Sequence, residues 1–148
     1  NYTIFRFFNT YGPKQSKDFV ISRFINLAAN NRNLTIYGDG SQTRTFCYVN
    51  DNVDACYNCF ESHLNENNPD NEVYNIGNDN EIPIVELAKL IIKVTDSKSE
   101  LKHMPALKDG DMKRRLPDIS KMKSLLDRKL LPLEDGIKKI LDNSKYIL

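Results

Sequence analysis

The chain has 148 residues, of which 40% are hydrophobic and 28% charged, and its 21 basic and 20 acidic residues leave a formal net charge of +1. This profile fits one ordinary globular domain and excludes collagen-like, coiled-coil and disordered chains. The near-neutral balance excludes a broad cationic surface for DNA or an acidic membrane. Any bound anion is therefore expected to be small and held by a few placed residues.

The first residues of the chain and its cysteines indicate the cellular compartment. No run of eighteen apolar residues occurs, so no membrane-spanning helix is expected. The first residues lack the basic region and cleavage site of a signal peptide, and three cysteines without framework spacing suit reduced thiols, so we expect a cytoplasmic protein. The sequence opens without Met on a strand-like segment, which suggests that an upstream part is missing.

The first half of the chain alternates strand and helix patterns. Residues 2–8 predict a strand covered on both faces, because aromatic and β-branched residues follow one another with little alternation. A turn cluster at 9–13, an amphipathic helix over 18–30, a strand at 34–37 and a period-2 strand over 43–49 follow. Asn50 or Asp51 is expected to cap the next helix, whose predicted buried stripe consists of Val53, Cys56, Tyr57, Phe60 and Leu64.

The second half continues the alternation. The patterns predict a strand at 72–76, a helix over 84–94 behind Pro83, a weak strand at 101–104, a charged irregular stretch at 105–117, and helices over 118–127 and 133–143. This order predicts an α/β fold with mixed sheet pairing. The apolar first strand needs neighbours on both sides, and only short strands are available downstream to supply them.

Asn9 follows the first strand, where the carboxyl ends of parallel strands place ligands. Its side-chain amide offers donors and an acceptor that suit a sugar hydroxyl. The structural alternative is an Asn that closes a turn with its own backbone. Spacing does not decide between the two.

Residues 38–44 contain a lone Gly-x-Gly. The segment lacks a third glycine and a following helix, as well as a Gly-Lys-Ser/Thr ending, so it fits neither a dinucleotide fingerprint nor a phosphate loop. As bare sequence it predicts a glycine-rich hairpin turn. Arg44, at the start of the next strand, can clamp a phosphate through its planar guanidinium, or can simply be a solvated arginine of an edge strand.

Residues 108–115 carry four basic side chains beside two carboxylates. Such a run can grip a diphosphate and bond sugar hydroxyls, or can be a solvated loop. Cys56 and Cys59 fall within one predicted helix without a second ligand pair, so neither metal nor redox chemistry is expected. The sequence has no glycine-rich cofactor fingerprint and no Tyr-x-x-x-Lys, and therefore no complete active site is visible.

Four segments together carry a resemblance: RFFNTYGP at 6–13, IYGDGSQTRTFCYVND at 36–51, YNIGN at 74–78 and GDMKRRLPDISK at 110–121. In this order they resemble the carboxyl-terminal half of the NAD-dependent epimerase/dehydratase family, extended short-chain dehydrogenases that act on nucleotide-sugars. The resemblance implies a Rossmann-type α/β enzyme. Its NAD-binding domain and Tyr-x-x-x-Lys pair would lie upstream, and residues 1–148 would form the nucleotide-sugar-binding portion.

The resemblance also implies partners. The substrate would be a UDP-, dTDP- or GDP-linked sugar, NAD would be bound mainly by the absent half, and the full-length enzyme is expected to be a homodimer. The isolated chain is expected to be inactive. The alternative from another class is a stand-alone binding or interaction module that keeps the fold without catalysis.

Six substrate-binding positions and one cofactor position match the family's motifs. Asn9 matches a contact to the sugar-phosphate portion, Tyr37 the nucleobase pocket, Arg44 the diphosphate, and Asp111 the ribose hydroxyls. Lys108 and Arg115 stand where relatives place arginines, and Phe8 stands where the backbone approaches the nicotinamide. Two departures are Phe19, where UDP-glucuronate decarboxylases look to have Arg, and Leu126-Asp127-Arg128 in place of the usual Leu-Gly-Trp.

Overall fold

The computed structural model describes residues 2–66, 71–106 and 112–142. Strands and helices alternate along it: β1 Thr3–Phe7, β2 Thr10–Tyr11, α1 Val20–Ala29, β3 Leu34–Tyr37, β4 Thr43–Thr45, β5 Cys47–Tyr48, α2 Val49–Glu66, β6 Glu72–Ile76, β7 Glu81–Pro83, α3 Ile84–Val94, β8 Leu101–Met104, α4 Ser120–Ser124 and α5 Leu133–Asp142. The predicted α/β class is confirmed.

The strands pair two by two. β1 pairs with β6, β2 with β5 and β3 with β8 in parallel, and β4 pairs with β7 antiparallel. Each parallel pair joins strands distant in sequence, as crossover connections require. In the β1–β6 pair Phe7 lies opposite Ile76, and the Phe8 amide donates to the Ile76 carbonyl at 2.9 Å, so both strands end at the same edge.

Two apolar clusters hold these pairs. The larger one packs α1, α3 and α5 around β2, β3 and β5, with Phe24, Ile36, Leu87 and Ile137 among its buried members. The smaller one packs α2 and α4 against one face of β1 and β6. The first helix begins at Val20, two residues later than predicted, and α4 is shorter than the predicted 118–127.

The predicted buried stripe of α2 is wrong. Val53, Tyr57, Phe60 and Leu64 are 58–62% exposed, and Cys56 alone of the five is partly buried. The fully buried apolar positions of this helix among the described residues are the small residues Ala55 and Cys59, on its opposite side. Because both sides of α2 carry apolar residues, periodicity alone selects the larger ones, whereas the close approach to β1, β6 and α4 requires the smaller ones.

The expected capping of α2 by Asn50 or Asp51 is also wrong. The helix begins at Val49, and the buried Asp51 carboxylate instead accepts the Leu131 amide at 2.9 Å and an Arg128 Nη1–H at 2.5 Å. A second Arg128 nitrogen donates to Asp54. Arg128 therefore ties α2 to the segment that precedes α5.

Three details of the strands differ from the predictions. The period-2 segment 43–49 divides at Phe46 into β4 and β5, which belong to different sheets. Residues 38–40 do form a turn, with Gly38 and Gly40 at positive φ, but β3 and β4 do not pair, so it is not a hairpin. Short strands β2 and β7 fall where only a turn and a helix start were predicted. Among the described residues, no helix has the length and apolar character to cross a bilayer.

Candidate functional site

Asn9 lies where β1 ends. Its φ of 36° is in the left-handed region, which turns the chain from β1 into β2. The side-chain Nδ2 donates to the Thr45 carbonyl at 2.9 Å, and the Asn9 carbonyl accepts the Cys47 amide at 3.2 Å. The amide therefore bonds a strand distant in sequence rather than closing a local turn. Asn9 also lines a cleft of about 430 Å³ that includes Tyr11 and Phe19.

Phe8 and Gly77 directly follow the parallel strands β1 and β6, at the edge where both strands end. A Cβ atom added to Gly77 would lie 2.9 Å from the Phe8 Cβ, so only glycine fits here without displacement. Phe8 is half-buried and its amide is bonded to β6. Close packing thus brings the ends of β1 and β6 together.

Arg44 is half-buried on β4. Its Nη1 donates to the Thr43 carbonyl at 2.7 Å and to the Met112 carbonyl at 2.6 Å. The structure therefore does not place it as a solvated arginine of an open edge, because β4 lies between β7 and a parallel bridge from Thr43 to Arg114. This geometry joins Arg44 to the basic segment that follows residue 111.

Arg114 and Glu81 fix that basic segment. The Arg114 guanidinium donates to both Glu81 oxygens, with Nε–Oε1 at 2.9 Å and Nη2–Oε2 at 2.7 Å, and Thr43 Oγ1 donates to Oε1 at 2.7 Å. The Thr43 amide also donates to the Lys113 carbonyl at 2.9 Å. These bonds, first from Arg114 and then from Thr43, lower the pKa of Glu81 to about 2.

Sequence reasoning missed this pair. Arg114 lay within the charged run that was singled out, but Glu81 gave no signal, because its partner is set by the antiparallel register of β4 and β7. The pair is geometric support for the site rather than a ligand contact. It holds in place the segment whose Met112 carbonyl accepts a hydrogen bond from Arg44.

Tyr37 ends β3 and is 38% exposed. The Gln42 side chain donates to the Tyr37 carbonyl at 3.3 Å, across the turn that leads to Arg44. Gly40 has φ of +75°, and an added Cβ there would lie 2.9 Å from Val85 Cβ. In the same turn, hydrogen bonds from Ser41 lower the pKa of Asp39. The turn thus positions Tyr37 and Arg44 at its two ends.

The structure shows less about the three remaining predicted site residues. Lys108 and Asp111 lie outside the described residues. Arg115 is exposed, and its side chain forms no hydrogen bond or ion pair with the described part of the chain. A larger cleft, of about 930 Å³, lies between β7, α3 and residues 123–133 and contains none of the predicted site residues.

Cysteine chemistry has little geometric basis in this fold. Burial raises the pKa of the Cys56 and Cys59 thiols, which disfavours the reactive thiolate. Cys59 Sγ lies 3.8 Å from Nδ1 of His63. Among the described residues, no group of three or more His, Cys, Asp or Glu side chains could hold a metal ion.

Parallel strands that end beside a cleft, here one that includes Asn9 and Gln15, are typical of Rossmann-type α/β ligand-binding proteins. The sequence model of the NAD dependent epimerase/dehydratase family matches residues 1–77, and this chain belongs to that family.

Relatives extend the comparison over nearly the whole chain. UDP-glucuronic acid decarboxylase 1 from Danio rerio is 39% identical over 137 residues, which cover 90% of this chain and 31% of the relative. The crystal structure of UDP-glucose 4-epimerase from Thermotoga maritima with UDP-glucose has a TM-score of 0.84 at 31% identity, covering 97% of this chain and 46% of that one.

A third similar protein is UDP-glucuronic acid 4-epimerase from Bacillus cereus, in complex with UDP-glucuronic acid and NAD. It has a TM-score of 0.82 at 29% identity, covering 99% of this chain and 46% of that one. The present chain therefore spans less than half the length of each of these three proteins.

Proposed function

We propose that this chain is the nucleotide-sugar-binding portion of an NAD-dependent enzyme that acts on a UDP-linked sugar, with the NAD-binding domain and the Tyr-x-x-x-Lys pair upstream. The main support is Arg44, whose guanidinium is anchored to the Met112 carbonyl beside the basic segment. UDP-sugars are the ligands of the similar epimerases.

Each proposed binding residue has a distinct task. Arg44 binds the diphosphate, because a planar guanidinium matches phosphate oxygens. Asn9 contacts the sugar-phosphate portion through its Oδ1 and the amide hydrogen that does not bond Thr45. Tyr37 lines the nucleobase, Asp111 bonds the ribose hydroxyls, and Lys108 and Arg115 add positive charge near the diphosphate.

The chain's own share in catalysis is orientation. NAD would be held mainly by the upstream half, where it would supply reversible hydride transfer from and to the sugar. The close contact of Phe8 with Gly77 holds the ends of β1 and β6 together at this edge. Binding energy at the nucleotide then orients the sugar against the nicotinamide.

Substitution of Arg44 tests the proposal. In the full-length enzyme Arg44→Ala is expected to raise KM for the UDP-sugar about 10- to 100-fold, the range for a lost charge-assisted phosphate contact. Arg32→Ala, at an exposed position beyond α1, is the matched control and is expected to leave KM unchanged. An unchanged KM in the Arg44 variant would remove this residue from the site.

The ligand and the reaction are tested with a panel of nucleotide-sugars. The full-length enzyme is offered UDP-, dTDP- and GDP-linked sugars, and products of UDP-glucuronic acid are analysed for carbon dioxide and for the 4-epimer. We expect turnover of a UDP-sugar by the full-length enzyme and none by the isolated chain. Binding of UDP-sugars without turnover by the full-length protein would support the non-catalytic module instead.

A further inference from the structure

Asn52 places a polar side chain on the buried side of α2. It is 3% exposed, and the residues at i+3 and i+7 on the same side are the buried Ala55 and Cys59. Its Nδ2 donates to the Thr10 hydroxyl oxygen at 2.6 Å, whereas its Oδ1 has no hydrogen-bond partner among the described residues. A buried polar atom without a partner costs stability. The bond to Thr10 is therefore what distinguishes asparagine from an apolar residue at this position.

Thr10 is held by side chains from two directions. Its Oγ1 accepts the bond from Asn52 on α2, and its backbone carbonyl accepts a bond from Gln15 Nε2 at 2.6 Å. The Oε1 of Gln15 accepts the Ser22 hydroxyl of α1 at 3.0 Å. Since β2 pairs with β5 over only two residues, these side-chain bonds fix the place of β2 between the two helices.

The turn at Asn9 directly precedes this anchored residue. A residue other than glycine with φ of 36° occupies a sparsely populated backbone region, which persists only where its surroundings fix it. The Asn9 carbonyl accepts the Cys47 amide at 3.2 Å, and its Nδ2 donates to the Thr45 carbonyl at 2.9 Å. Asn9 and Thr10 line the cleft of about 430 Å³, but Asn52 does not. Asn52 thus lies behind the cleft wall, in contact with the residue that follows Asn9.

We propose that Asn52 is a positioning residue of the candidate site, which acts through Thr10 to fix the turn that presents Asn9 to the sugar-phosphate portion of the ligand. A hydrogen bond constrains direction as well as distance, whereas an apolar contact of the same size constrains distance alone. The ligand of Asn9 rests on the proposed function, but the link from Asn52 to the turn does not.

Kinetics of the full-length enzyme test the role in binding. Asn52→Leu removes the bond while nearly keeping the shape of the side chain, and it is expected to raise KM for the UDP-sugar about 3- to 10-fold, the size of one neutral hydrogen bond. We expect kcat to change less than about twofold, because Asn52 contacts no reacting group. An unchanged KM would overturn the proposal.

Asn58→Leu is the matched control on the same helix. The Asn58 Nδ2 also donates to an oxygen, the Leu125 carbonyl at 2.8 Å, but this bond leads away from the turn at Asn9. The control is expected to lower the urea midpoint and to leave KM unchanged. An equal rise of KM in both variants would assign the effect to lost stability and overturn the positioning role.

A double variant tests whether Asn52 acts through Asn9. Asn9→Gly keeps the left-handed turn, which glycine adopts without strain, and removes the side chain that is proposed to contact the ligand. In the Asn9→Gly enzyme, Asn52→Leu is expected to cause no further rise of KM, because coupled residues are not additive. The same rise of KM in both backgrounds would contradict action through Asn9.

Amide exchange measured by NMR tests the link without any ligand. In the 148-residue chain, Asn52→Leu is expected to speed exchange of the Cys47 amide at least about fivefold, because this amide bonds the Asn9 carbonyl. The Phe8 amide, which bonds β6, is the internal control and is expected to keep its rate. Unchanged exchange at Cys47 would overturn the proposal whatever the ligand. Failure of the unsubstituted full-length protein to bind a UDP-sugar would instead overturn the proposed function, and faster exchange at Cys47 would still support the link from Asn52 to the turn.

Discussion

At the scale of single residues, the contact between Glu81 and Arg114 links the stability of the fold to the candidate site. Two strands and the basic segment meet at this carboxylate, which also accepts the Thr43 hydroxyl. The Arg44 guanidinium bonds the backbone two residues before Arg114. Loss of the Glu81 carboxylate therefore loosens the segment that orients Arg44, the residue proposed to bind the diphosphate.

The lowered pKa of Glu81 gives this contact a pH dependence. Its folded pKa of about 2 lies below the ordinary value of 4.5, so the charged form stabilises the fold above about pH 4.5, and that stabilisation is lost as the pH falls from 4.5 towards 2. We expect Glu81→Gln to unfold at lower urea concentration than the unsubstituted chain at pH 6, with the difference shrinking by pH 3.

A matched surface carboxylate provides the control for this titration. Glu86 forms an i,i+3 pair with Lys89, and both side chains are more than half exposed. Glu86→Gln is expected to change the urea midpoint little at either pH, since exposed pairs contribute little. A Glu81→Gln effect that stays constant from pH 6 to pH 3 would contradict the assigned role of the Glu81 charge.

At the scale of elements, α5 meets β2 without space for one more carbon. A Cβ added to Gly136 would lie 2.0 Å from the Tyr11 hydroxyl oxygen and 2.8 Å from its Cζ. Gly136 is buried in the helix, and Tyr11 is 1% exposed. The glycine is thus required by close approach, although glycine is unfavourable within a helix.

Substitution at this contact tests the packing. Gly136→Ala is expected to destabilise the chain by about 1–3 kcal/mol, the usual cost of overpacking, despite the higher helix propensity of alanine. The measurement is urea unfolding at pH 7. Tyr11→Phe in the same chain removes the nearest atom and is expected to recover part of the loss, and a more stable Gly136→Ala variant would refute the close contact.

Local patterns predicted the elements well but not their partners. The strand at 34–37 and the helix over 84–94 agree with β3 and α3, because each has one clear apolar face. The stripe of α2 was assigned to the wrong side because two apolar sides compete on that helix. Short strands such as β2 escaped prediction because two residues carry no period, and only their long-range partner defines them.

At the scale of the molecule, the two apolar clusters differ in size. Among the described residues, fifteen buried ones form the larger cluster and five the smaller one, which holds β1 and β6 together with α2 and α4. Local stability follows the amount of buried apolar contact. The two regions of the isolated chain should therefore open at different free energies.

Native-state hydrogen exchange measures this difference. In the 148-residue chain the amides of Tyr74 and Ile76 on β6 are expected to exchange at least about tenfold faster than those of Leu87 and Ile91 on α3. Leu87, Ile91 and Ile76 are all 0% exposed, so solvent access in the native state does not account for the order. Equal protection would indicate one cooperative unit instead.

The candidate site was predicted only as separate residues. Asn9 and Arg44 could be named from their positions after or within strands, because residue type and strand end are local features. Asn9 bonds the Thr45 carbonyl and Arg44 bonds the Met112 carbonyl, and both partners are distant in sequence. These contacts depend on the pairing and register of the strands, which cannot be inferred from a single sequence. The roles assigned to all seven residues remain predictions for the experiments above.

Both ends of the segment from Met104 to Lys113 are tied to neighbouring backbone, at Gly38 on one side and Thr43 on the other, with bonds of 2.9 Å each. A connection with fixed ends can change in length and composition at small entropic cost, since loop closure depends only weakly on length. In the proposed function this stretch carries Lys108 and Asp111, so selection on the nucleotide contacts can act here while the two anchored ends stay the same.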